Sequence, residues 1–278
     1  MSEWQAPDPA QLRRIGHGIS ADVLLLPPDR VLKLLRPGLG AAIAEREFTA
    51  ARVAFEAGLP VPEPLTLARA GERHGIVFER LEEAPWARRV RRLPGPVMAT
   101  LAAMARLQAR AHAVRISAGV LPDAGALLDA RCTDALAPAA ARDAARRRLA
   151  ELGGGSDRLL HGDLHLGNII AARGRTMAVD WAQAMVGDPA ADVARTELLL
   201  RFGRYGVALR RYPSLRVARH AAAEWYLFCY RQITGMPTDA IDRWRLPTAV
   251  AWMRNDSAAH PSSLAAYAER QRRRDQLR

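Results

Sequence analysis

Residues 159–170 read "LLHGDLHLGNII", and residues 177–193 read "MAVDWAQAMVGDPAADV". In the first stretch Asp163 and Asn168 stand five residues apart between apolar runs. In the second, Asp180 follows a short strand-like run, twelve residues beyond Asn168. A carboxylate, an amide and a second carboxylate at this spacing suit phosphoryl transfer from a nucleoside triphosphate. One carboxylate accepts the proton of an attacking hydroxyl, while the amide oxygen and the other carboxylate hold magnesium against the phosphates. A lone His-Gly-Asp arises by chance, and Asp163 alone is compatible with a helix cap. Two motifs in this order and spacing are much harder to obtain that way.

Working outward, residues 15–35 read as two strands, "IGHGISADVLLL" and "RVLKLL", with "PPD" as the turn. Residues 41–57 favour a helix, stopped by Gly58 and "LPVPEP", and "GIVFERL" (75–81) reads as another strand. Beyond "EEAPW" the pattern turns helical. Val97, Leu101, Met104, Leu107, Ala111 and Val114 recur at spacings of three and four, and residues 218–232 and 263–274 read as further helices. The expected outline is α+β: a small β-rich lobe over residues 1–81, then a larger, mainly helical lobe over 82–278.

The two motifs resemble those of the aminoglycoside phosphotransferase and choline kinase-like family, the small-molecule branch of the protein-kinase fold. Protein kinases have Arg before the loop Asp and Lys two residues after it. Here Gly162 and His165 take those places, and Asp180-Trp181 stands where Asp-Phe-Gly would, as in the small-molecule branch. The resemblance implies a bilobal fold and an ATP- and Mg²⁺-dependent kinase acting on a small-molecule hydroxyl. Asp163 would be the catalytic base, and Asn168 and Asp180 the metal ligands. Asp188 and Asp192, in "GDPAADV", are expected to hydrogen-bond loop backbone and fix the site.

The same resemblance gives roles upstream. "IGHGISADV" matches a phosphate-capping glycine loop at Gly16, Gly18 and Val23, with Ser20 as an extra donor and Ala21 replacing the third glycine. Lys33, ten residues after Val23, would grip the α- and β-phosphates. Glu47 would hold Lys33, with Glu45 as its rival half a helical turn away. "IVFERLEE" would be the hinge, the backbone of Glu79 and Leu81 pairing with the adenine edge and Phe78 lying behind it.

Lys33 is the sole lysine among 41 basic residues. A compact ammonium fits between a carboxylate and two phosphate oxygens, whereas a planar guanidinium is larger and prefers bidentate forks. That accounts for a lysine kept in a chain that otherwise uses arginine.

Composition sets the remaining limits. Residues 1–85 carry ten basic and twelve acidic side chains, a balance of −2; the remainder carries 31 and 17, a balance of +14. The clusters "ARRVRR", "ARRRLA" and "ERQRRRDQLR" come without aromatic interleaving or a nucleic-acid motif, so an arginine-rich surface is expected rather than a nucleic-acid partner. No stretch is long enough to span a bilayer, the N-terminus lacks a signal-peptide core, and two cysteines make no disulfide framework. A cytoplasmic protein with no membrane partner is expected.

The acceptor pocket is expected from segments 195–232 and 244–260. Trp225, Tyr226 and Tyr230 are candidates for its wall or for core, and Arg195, Glu197 and Arg231 for substrate contact or surface. The basic second lobe would repel a polycationic aminoglycoside, which favours a neutral or acidic hydroxyl metabolite or another antibiotic class. Two other readings stay open: a pseudokinase, on the strength of Ala21, and a scaffold whose basic lobe binds polyanions. A metabolic or a resistance role, ATP against GTP, and the oligomeric state also stay open.

Overall fold

The computed structural model describes residues 3–81, 94–203, 214–253 and 261–276. The sequence boundary at residue 82, the end of the proposed hinge (Glu82, Glu83), the "ARRVRR" cluster and residues 254–260 lie outside them. Two compact units are present: residues 1–84 with 170–184, and residues 85–169 with 185–278. The segment 170–184, which carries Asp180, thus belongs with the N-terminal strands although it follows Asp163 in the chain.

The first unit is built on β1 (Trp4–Gln5), β2 (Arg14–His17), β3 (Ala21–Leu26), β4 (Arg30–Leu35), β5 (Pro64–Ala70) and β6 (Arg73–Glu79), with α1 (Ala41–Glu56) between β4 and β5. The sheet order is β1-β5-β6-β4-β3-β2, antiparallel except for β1 alongside β5. The single strand expected over 15–26 is two strands. Gly18 donates its N–H to the Ala21 carbonyl at 2.8 Å, turning the chain between them. β1 and β5 are additional to the sequence reading.

Period-two alternation explains the β4 strand. Leu32 and Leu34 point into a core with Leu24, Leu26, Ala68, Ala70 and Val77, and Lys33 between them points to the opposite face. On that face Val23, Lys33 and Ile76 lie in register across three strands. Helix α1 buries Ala44, Glu47, Phe48, Ala51 and Ala54, a spacing of three and four. Its end matches the sequence stop signal: Ala57 closes the last turn and Gly58 follows at φ 72°.

The second unit contains, among the described residues, α2 (Pro94–Ala111), α3 (Ala124–Thr133), α4 (Ala139–Leu152), α5 (Pro189–Phe202), α6 (Ser214–Thr234), α7 (Thr238–Trp252) and α8 (Pro261–Gln276). A two-stranded ribbon of β7 (Arg158–Leu160) and β10 (Met185–Gly187) flanks the motif loop. A second hairpin, β8 (Ile169–Ala172) and β9 (Arg175–Ala178), belongs from residue 170 onward to the first unit and leads to Asp180. The α2 stripe holds as expected, with Leu101, Met104, Leu107 and Ala111 all buried. Val114 lies beyond the helix end.

Helix α5 starts where local chemistry dictates. Asp188 is its N-cap, accepting the Ala190 N–H at 2.8 Å, and Pro189 occupies the first turn. Among the described residues no helix is long and apolar enough to cross a membrane.

Candidate active site

In the first unit Lys33 lies between two carboxylates. Its Nζ donates to Glu47 Oε1 at 2.6 Å and to Asp180 Oδ1 at 2.9 Å. Glu47 is 1% exposed, while Glu45 faces solvent, so helix phase selects between them. Burial opposes the Lys33 ammonium, but the charges of Glu47 and Asp180 outweigh it and hold its pKa above the usual lysine range. Burial also pushes the Glu47 carboxyl up, and Lys33 offsets only part of that push. Glu47 Oε2 is buried without a hydrogen-bond partner.

Asp180 adopts φ 67°, the left-handed region that a non-glycine residue enters at a cost and that Asp tolerates better than most. The β8–β9 hairpin leading to it is tied to the sheet within the same unit: Ala178 N–H donates to the Pro60 carbonyl at 2.9 Å, and Arg173 pairs with Glu79 at 2.6 Å.

The glycine loop is the turn between β2 and β3. A side chain at Gly16 would meet Val23 Cβ at 3.1 Å, and one at Gly18 the Ala21 carbonyl at 3.3 Å, so both glycines serve close packing. Ala21 is buried in strand β3 and has no positive φ, so its backbone does not require the third glycine of the motif. The Ser20 carbonyl accepts the Arg36 N–H at 2.8 Å. At the other end of the sheet, the Glu79 N–H is spent on the Glu63 carbonyl at 3.0 Å, which leaves the Glu79 carbonyl for any adenine contact. Phe78 is buried and Leu81 is half-buried.

In the second unit the motif loop hangs from one carboxylate. Asp192, fully buried, accepts the backbone N–H groups of His161 at 3.0 Å and Gly162 at 2.8 Å. It also accepts Gln108 Nε2 at 2.9 Å and pairs with His112 Nε2 at 3.1 Å. Burial works against its charge, yet the bonds and charge of His112, with Gln108 and His161, bring the pKa down to about 2. Tyr226 hydrogen-bonds Gln108, and Tyr230 bonds His112 at 2.6 Å. These two tyrosines are therefore core residues that brace the loop. Gly162 sits at φ 75°, which explains a glycine immediately before Asp163.

Arg195, Asn168 and His165 face the Asp163 carboxylate. Arg195 Nη2 lies 3.5 Å from Oδ1; Asn168 Nδ2 lies 3.5 Å and His165 Nε2 3.6 Å from Oδ2. Asn168 is oriented by a bond from Nδ2 to the Asp163 carbonyl at 2.9 Å, so its amide oxygen is turned the other way. Gly167 donates its N–H to His165 Nδ1 at 2.9 Å, which puts the ring proton on Nε2, toward Asp163. Arg195 was read in the sequence only as substrate contact or surface; its position here depends on Trp252, whose ring its guanidinium covers at 4.4 Å.

The other acceptor candidates have plainer roles. Glu197 is buried between Arg201 at 2.9 Å and Arg245 at 2.8 Å. Arg231 bonds the Met236 carbonyl on the surface, and Trp225 bonds the Met98 carbonyl. In the described basic clusters, Arg146 pairs with Asp129 and Arg148 with Glu151, and Glu269 pairs with Arg272 and Arg273.

Among the described residues no group of three or more His, Cys, Asp or Glu side chains could hold a metal by itself. Of the residues the sequence singles out, Asn168 in the second unit offers an amide oxygen and Asp180 in the first a carboxylate, both hard oxygen donors. Donors of this kind suit Mg²⁺, which keeps waters and takes further oxygens from phosphates.

Comparison with known proteins finds chains of similar structure. The structure is similar to a choline/ethanolamine kinase family protein from Mesorhizobium loti, with 19% identity, 96% of this chain and 87% of that chain covered, and a TM-score of 0.56. It is also similar to a Streptomyces rimosus aminoglycoside phosphotransferase solved with ADP and streptomycin, with 17% identity, 87% and 93% coverage, and a TM-score of 0.58. A macrolide 2'-phosphotransferase from Brachybacterium faecium gives 20% identity, 94% and 93% coverage, and a TM-score of 0.52. At these identities the likeness establishes the fold, protein-kinase-like and α+β. No curated protein sequence matches the chain. The family model for the APH phosphotransferase enzyme family matches residues 11–236, and the chain belongs to that family.

Proposed function

We propose that this protein is an ATP-dependent kinase that transfers the γ-phosphoryl group to a hydroxyl of a small molecule. The observation that carries the reading is Lys33 held between Glu47 at 2.6 Å and Asp180 at 2.9 Å. A buried ammonium with raised basicity is poised to exchange the Asp180 contact for phosphate oxygens while Glu47 retains it. Gly16, Gly18 and Ser20 cover the phosphates, and the Glu79 carbonyl with the Leu81 backbone receives the adenine edge.

Asp163 accepts the acceptor hydroxyl's proton as its oxygen attacks the γ-phosphorus and the bond to ADP breaks. Asn168 and Asp180 would hold Mg²⁺, which when bound neutralises charge on the phosphates. The protein's contribution is positioning and charge stabilisation. The charge balance of +14 over residues 86–278 supports a neutral or acidic acceptor rather than a polycation.

A mass-shift screen tests this. Native protein and an Asp163→Asn control receive Mg-ATP with a metabolite extract and a panel of hydroxyl-bearing antibiotics. A product gaining one phosphate only with native protein is expected. ATP binding without any phosphorylated product would replace the enzyme reading with a pseudokinase.

A further inference from the structure

We propose that Arg195, on helix α5, is the cation of the transfer step. The inference rests on the kinase reading above. Two residues after Asp163 the loop carries His165, whose Nδ1 accepts the Gly167 N–H at 2.9 Å. Arg195 sets a fixed positive charge against the Asp163 carboxylate, with Nη2 3.5 Å from Oδ1.

Its placement follows from the fold. Asp192 and Arg195 are three residues apart on α5, hence on neighbouring faces of one turn. Asp192 fixes the His161 and Gly162 N–H groups. Arg195 then reaches the same loop one residue further along, Nε to the Gly162 carbonyl at 3.4 Å and Nη2 to Asp163 Oδ1 at 3.5 Å. Trp252, buried at the end of α7, supports the guanidinium plane at 4.4 Å. A stacked arginine has lost much of its rotamer freedom on folding, so little ordering remains for the reaction.

Both polar contacts are at the long limit of hydrogen bonding. They can shorten when charge grows nearby. As the hydroxyl oxygen bonds to the γ-phosphorus, its proton passes to Asp163 and the electrons of the breaking bond leave with ADP. Arg195 stabilises the equatorial phosphoryl oxygens at that moment while keeping Asp163 oriented.

The test uses Arg195→Gln and Arg195→Lys in the full chain, with water as acceptor. ADP formation from Mg-ATP is followed over hours, with the KM for ATP and the melting temperature recorded in parallel. Arg195→Gln should lower kcat about 100-fold, the size expected for one lost transition-state donor, with KM within about 3-fold and the melting temperature nearly unchanged. Arg195→Lys should recover part of the loss. Native turnover in Arg195→Gln overturns the inference while leaving the kinase reading standing. So does a loss that Lys does not relieve and that tracks melting temperature, because that assigns Arg195 to packing. A native protein that turns over no ATP overturns both.

Discussion

Asp192 accepts the Gly162 N–H at 2.8 Å, one residue before Asp163, so the first turn of α5 and the loop bearing the proposed base are pinned by a single carboxylate. Asp192→Asn offers one oxygen and one NH₂ where four donors converge. At least one donor then meets another donor. The expected cost is about 3 kcal/mol, in the range for breaking a buried charged network, read as a lower urea midpoint. Turnover should fall too, even where the variant remains folded. An Asn variant as stable as native protein would remove Asp192 from this role.

The same carboxylate predicts an acid limb of stability. Its folded pKa of about 2 lies below the ordinary aspartate value of 3.8. The contribution is therefore complete above about pH 5 and is lost as pH falls through 3.8 toward 2. It amounts to about 2 kcal/mol, since one pKa unit is worth about 1.4 kcal/mol. Urea unfolding of native protein should lose this stability between pH 5 and pH 2, and Asp192→Asn should lose less. Parallel curves would show that other groups set the acid limb.

Lys33→Arg keeps the charge but not the shape. A guanidinium is too large for the space between Glu47 and Asp180, and the expected result is at least about a 100-fold loss in kcat/KM for ATP. Lys33→Met leaves two carboxylates facing each other, and it should also depress stability. Near-native turnover by Lys33→Arg would contradict the role given to the ammonium.

Asp180→Asn separates backbone from charge. Asn tolerates positive φ about as well as Asp, so the fold at φ 67° should persist. Mg²⁺-dependent nucleotide binding should weaken, while nucleotide binding measured in EDTA changes little. Equal weakening in both conditions would count against a metal ligand.

Two glycines test the framework. A Cβ at Gly75 would lie 2.6 Å from the Lys33 carbonyl, where β6 crosses β4. Gly75→Ala must therefore push the strands apart beneath Lys33, lowering both the melting temperature and ATP affinity. Gly162→Ala at φ 75° should cost about 1–2 kcal/mol of backbone strain and reduce turnover more than ATP affinity. A Gly75→Ala protein with native melting and binding would show that the sheet absorbs the extra carbon.

Legibility in the sequence followed the range of the interaction involved. Helix α1, expected over 41–57 and found at Ala41–Glu56, has its apolar stripe and Gly58 stop within one window. Lys33 and Glu47 were readable because strand and helix periodicity fix which way each points. β5 was missed because it begins at Pro64 after a proline-rich run that reads as a turn, and β1 because two residues carry no period. Arg195 was left undecided since its supports, Trp252 and Asp163, lie 57 and 32 residues away. The grouping of 170–184 with the N-terminal strands likewise has no local signal; it depends on contacts such as Ala178 to Pro60.

The solitary lysine also makes this chain unusual as a chemical object. Apart from the α-amino group, Lys33 is its only primary amine. Acylating reagents and amine-coupled surfaces therefore have one internal address. That amine is shielded by two carboxylates and kept protonated, so it is a weak nucleophile while the trio is intact. Acylation at Lys33, counted as a single mass increment, reports how often the trio opens, without any substrate.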